Sequence, residues 1–85
     1  MATRRPAVPT SAQMRAQVLA AIAGRLAQLG LTQKEAAVQL GLAQPQVSAL
    51  MNLKSEGFSL DRLIDVASRA GLSVRLAIAR PYRRD

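Results

Sequence analysis

Thr32 and Gly41 enclose the stretch that most restricts how this chain can fold. Thr32-Gln33-Lys34-Glu35 fits the S/T-x-x-E capping box, in which hydroxyl and carboxylate each accept a backbone N–H of a helix's first turn. Gly41 permits a backbone angle that a side chain would resist, and is expected to end the helix. Only about three residues later, near Ala43 or Gln44, a further helix is predicted to start. Pro45 falls in its first turn, where a missing N–H costs nothing. The small side chains of Ala36 and Ala37 let the two short helices approach closely, with Leu40 on the same inward face.

The remaining punctuation predicts two more helices. Thr10 or Ser11 caps a first one running to about Leu29, with Gly30 as its terminator. Val18, Leu19, Ile22, Leu26 and Leu29 recur along it at steps of three and four, one buried stripe, with Arg15 and Arg25 off it. Val47, Leu50 and Met51 form the inner face of the third helix. Ser59 caps a fourth, with Asp61 in its first turn; Leu60, Leu63, Ile64 and Ala67 line one side, and Gly71 stops it. Phe58 belongs to the core. From Ser73 to Arg80 the hydrophobic period changes from 3.6 to 2. Val74, Leu76 and Ile78 alternate with Arg75, Ala77 and Ala79, the pattern of a half-buried strand. Residues 1–9 read as a basic arm and residues 81–85 as a basic tail. Residues 10–72 then make one helical domain.

Composition narrows the function. The chain has 85 residues, no cysteine and no histidine, so disulfides, the usual zinc sites and Ser-His or Cys-His nucleophile pairs are excluded. No cofactor and no metal are expected, and an enzyme is not the expected class. Twelve Lys and Arg against five Asp and Glu leave a net charge of +7. A domain this basic usually meets a polyanion. No apolar run approaches the roughly 20 residues that span a bilayer, and no apolar region follows Arg4 and Arg5 as in a secretory signal. The expectation is a cytoplasmic protein with no membrane role.

Two short helices with a tight glycine turn meet the requirements of a helix-turn-helix. The outward positions of its second helix are Gln44, Gln46, Ser48 and Asn52, a polar and uncharged face. A merely solvated helix of a basic protein would usually carry Lys, Arg or Glu there. Gln pairs bidentately with adenine N6 and N7 in the major groove, and Ser is short enough to sit against base edges or phosphates. Lys54 and Ser55, just beyond, suit backbone phosphates. Asn52 can equally cap the end of the helix.

Residues 32–52, TQKEAAVQLGLAQPQVSALMN, resemble the helix-turn-helix of lambda-repressor-like (Xre/Cro) DNA-binding domains. Gln33, Gln44 and the Val47-Ser48 pair match that pattern. Residues 53–72, LKSEGFSLDRLIDVASRAGL, look like the variant of HigA-like antitoxins and related small regulators. The resemblance implies an all-α, four-helix domain in which Gln33 touches phosphate and braces Gln44 against a base. It also implies that Gln46, Ser48 and Asn52 contact bases or phosphates. Pro45, in the same DNA-facing turn, departs from the pattern: many relatives carry a small polar residue there, and its ring donates no hydrogen bond. The recognition helix also has no arginine.

A lone strand leaves unpaired backbone on both edges. Its simplest partner is a two-fold copy of itself, so Val74, Leu76 and Ile78 are the expected dimerisation residues. A homodimer sets two recognition helices about one DNA turn apart, matching a palindromic operator on double-stranded DNA. Pairing of the strand with a partner protein instead stays open. The expected function is a transcriptional repressor, narrowed by resemblance to the antitoxin of a type II pair with a RelE/HigB-like toxin. The alternatives are a phage-type or stand-alone repressor, and a protein-interaction module that keeps the helix-turn-helix shape without DNA binding.

Overall fold

A computed structural model describes residues 10–78, and these form four helices: α1 (Ser11–Leu29), α2 (Gln33–Leu40), α3 (Gln44–Met51) and α4 (Leu60–Arg69). The capping signals act as the sequence predicts. Thr10 Oγ1 accepts the Gln13 N–H at 3.1 Å, while Gln13 Oε1 accepts the Thr10 N–H at 2.8 Å. Thr32 and Glu35 make the same reciprocal pair at 3.1 and 2.9 Å. Ser59 Oγ accepts the Arg62 N–H at 3.1 Å. Gly41 closes α2 at φ 69°, and the Leu42 N–H reaches back to the Ala37 carbonyl at 2.9 Å. That turn folds Leu42 into the core and redirects the chain into α3.

The core gathers Leu19, Ile22 and Leu26 from α1, Ala36, Ala37 and Leu40 from α2, and Val47 and Leu50 from α3. Leu63, Val66 and Ala67 of α4 complete it with Leu42, Phe58 and Ala70 from the connections. α1 packs on α4 and α3, and α2 packs on α3 and α4. Two of the predicted core positions differ. Leu29 and Ile64 are 38% and 39% exposed, whereas Val66, outside the expected stripe, is buried. The stripes 60-63-64-67 and 63-66-67-70 share Leu63 and Ala67, so periodicity leaves the choice open. The end of α2 decides it, because Leu40 and Gly41 border Val66 and Arg69.

Two polar side chains fasten the end of α4. Arg25 Nε donates to the Ala70 carbonyl at 3.1 Å, and Gln39 Nε2 donates to the Arg69 carbonyl at 3.3 Å. These carbonyls are among the groups a helix end leaves without intrahelical partners. The Arg69 guanidinium in turn lies over Gly41, so close that a Cβ there would sit 3.0 Å from Nη1. A cation is thereby held at the C-terminus of α2, where the helix dipole favours it.

The predicted strand is absent from its described part. Residues 73–78 form no regular structure, and Val74, Leu76 and Ile78 are 41%, 77% and 86% exposed. Alternation yields a half-buried strand only when a ladder partner and a covering face exist; the four helices of one chain supply no ladder and partly cover Val74 but not Leu76 or Ile78. The architecture of the described residues is therefore all-α, without a β-strand. Residues 79–80 of that segment, the 81–85 tail and the 1–9 arm lie outside the described residues. No helix among the described residues is long and apolar enough to cross a membrane.

Candidate nucleic-acid interface

α3 is pinned from behind. Val47 and Leu50 are fully buried, and Met51 packs half-buried against the same core. The face left outward presents Gln44, Pro45 and Gln46, all exposed, with Ser48 half-buried one turn on. Gln33 is exposed at the first position of α2, as Gln44 is at the first position of α3. The structure shows no hydrogen bond between these two glutamines.

Two of the expected contact residues have their polar groups engaged locally. Ala43 precedes α3 and has no side-chain oxygen to cap it. Gln46 compensates, its Oε1 accepting the Ala43 N–H at 3.0 Å. Asn52 caps the other end, where its Nδ2 donates to the Ser48 carbonyl at 2.9 Å and its backbone N–H reaches the same carbonyl at 3.0 Å. Of the two roles open to Asn52, the capping one is therefore seen, and its Oδ1 and second Nδ2 hydrogen remain uncommitted.

Beyond Asn52 the backbone of Leu53 takes φ 59°, the one left-handed non-glycine residue among those described. The Leu53 N–H bonds to Leu50 O at 3.0 Å and the Lys54 N–H to Ala49 O at 2.9 Å, closing the helix. This turn leaves Lys54 exposed directly after α3. Ser55 is half-buried, and its carbonyl accepts the Phe58 N–H at 3.0 Å, so its backbone serves the loop that carries Phe58 into the core. Sequence reasoning missed the strained Leu53, since leucine carries no left-handed signal. It also missed Arg25, Gln39 and Arg69, whose partners lie far away in sequence.

The electrostatics are uneven. α3 carries no charged residue; Lys34 on α2 and Lys54 flank it, both exposed. Residues 10–78 hold seven basic and four acidic residues, a surplus of +3 out of the chain's +7. Attraction to a polyanion thus arises mainly outside the helix whose amides face outward. No group of three or more His, Cys, Asp or Glu side chains among the described residues forms a metal-binding cluster.

This geometry, a buried-backed short helix set by a glycine turn against its predecessor, is that of a helix-turn-helix. Residues 6–79 match the family described as "Helix-turn-helix domain", and the chain belongs to that family. Its fold is that of XRE-type regulators: a solved structure assigned as an XRE family transcriptional regulator superimposes with a TM-score of 0.78. That protein is 34% identical to this one, with 88% of this chain and 85% of that chain covered. No curated protein matches at a significant level.

Proposed function

We propose that this chain is a DNA-binding transcriptional regulator that represses by occupying a palindromic operator as a homodimer. The observation that carries the reading is the outward face of α3: an uncharged amide and hydroxyl surface on a helix anchored by Val47 and Leu50. Such a helix enters the major groove with its first residues at the base edges. Gln44, with an amide free of internal bonds, suits bidentate pairing with adenine. Gln33, Lys54 and Ser55 suit phosphates, which fix register. Residues 10–72 are the DNA-binding unit in this reading.

Homodimerisation rests on a second observation. Leu76 and Ile78 project from the helical body largely uncovered, while Val74 is partly covered and lines a shallow groove of about 210 Å³ with Val18, Ala21, Ala67 and Leu72. A sister chain would cover them and supply the missing ladder. The antitoxin role, with a RelE/HigB-like toxin as partner, is the narrower proposal; its support is the resemblance of residues 53–72 and the same uncovered segment. Co-expression with the product of a neighbouring small gene tests it. Rescue of growth supports the antitoxin, and failure to neutralise any such product leaves a stand-alone repressor.

The primary test is a binding titration on the DNA upstream of the chain's own operon, against scrambled DNA, at two salt concentrations. Binding at least about a thousandfold tighter to the upstream sequence is expected. Equal, salt-sensitive binding to both would reduce the chain to a basic protein with electrostatic affinity only and refute the proposal.

A further inference from the structure

The two outward glutamines of α3 are the same residue in different hydrogen-bonding states. We infer that Gln46 reads DNA as a hydrogen-bond donor, selecting guanine, whereas Gln44 keeps both halves of its amide for adenine. This rests on the DNA-binding reading above.

All three of the first helices place an amide or carboxylate three residues after the cap, folded back onto the cap's N–H: Gln13, Glu35 and Gln46. In α1 and α2 a threonine hydroxyl answers it. In α3 the position is Ala43, so Gln46 is the sole side chain that caps this end. Bidentate pairing of glutamine with adenine needs the amide oxygen on N6–H and the amide nitrogen on N7. With Oε1 engaged by the Ala43 N–H at 3.0 Å, the part of the exposed Gln46 amide that the fold leaves unbonded is Nε2 and its two hydrogens. Guanine offers two adjacent acceptors, O6 and N7, to such a donor pair, while adenine sets a donor beside its N7. Pro45 contributes no N–H at the neighbouring position, so it adds no competing donor.

The test is selection of preferred sites from randomised DNA with the full chain, comparing wild type, Gln46→Glu and Gln46→Ala. Glutamate keeps an oxygen for the Ala43 N–H, so Gln46→Glu should melt as wild type does by circular dichroism. The Gln46→Ala chain should melt lower. Wild type is expected to prefer guanine over adenine by roughly five- to a hundredfold at one position per half-site. In Gln46→Glu that preference should pass to cytosine, whose N4 amino group donates to a carboxylate. A position that depends on Gln46 but selects adenine overturns the inference while leaving DNA binding intact. So does an unchanged set of sites in Gln46→Glu. Absence of any sequence preference in wild type overturns both this inference and the proposed function.

Discussion

Leu53 shows whether backbone strain shapes the exit from α3. Its φ of 59° costs an L-residue about 1–2 kcal/mol. Glycine removes that cost but adds roughly 0.5–1 kcal/mol of unfolded-chain entropy. Wild type is a poor reference, because Leu53 is 60% exposed and its remaining packing offsets part of the relief. The informative pair is Leu53→Gly against Leu53→Ala: both lose that packing and only alanine keeps the strain. The glycine variant should be the more stable by about 0.5–1 kcal/mol, the difference of the two terms. At an ordinary helical position the order is reversed, by about 1 kcal/mol. Urea denaturation followed by far-UV circular dichroism suits a chain without tryptophan. In thermal melts the gap should be about 2–8 °C for a domain of this size. An alanine variant as stable as the glycine variant, or more so, would show that no strain is stored at this turn.

Gln44→Ala should cost on the order of 1–3 kcal/mol of operator affinity and relax one base position, measured by titration against single-base operator variants. Lys54→Ala should weaken all DNA sequences similarly and lower the slope of log affinity against log salt by about one, read from a salt series. Leu76→Asp or Ile78→Asp should give monomers in analytical ultracentrifugation, with reduced operator affinity and an unchanged helical spectrum. Arg25→Met should destabilise the chain by about 1 kcal/mol in urea, because the Ala70 carbonyl loses its side-chain donor while most of the aliphatic packing stays.

Three of the helices were legible because each opens on a residue whose chemistry acts locally, and α3 because a glycine turn precedes it and Pro45 falls in its first turn. Thr10, Thr32 and Ser59 bond to amides three positions away, and Gly41 supplies a backbone angle that its neighbours need. The outward face of α3 followed from the same periodicity that buried Val47 and Leu50. Ile64 and Val66 were interchanged because that choice depends on where α2 ends in space. The strand over residues 73–80 misled for a related reason: alternation records what a segment suits, and pairing requires a partner that four helices do not provide. The clamps of Arg25 and Gln39 span 45 and 30 residues, and no local rule points to them.

The engagement of Gln46 also bears on how this regulator can acquire new targets. The inner residues of α3 hold the scaffold, and the side chains of Gln44 and Ser48 make no hydrogen bond that the fold requires. A lineage drifting toward another operator can therefore rewrite exposed position 44 freely, and half-buried position 48 within the space it has. Position 46 is different: any replacement must still supply an acceptor for the Ala43 N–H or tolerate a frayed helix. Retargeting should then proceed along 44 and 48 first. Change at 46 becomes accessible mainly after Ala43 has itself become Ser, Thr or Asp, a side chain able to cap α3 alone.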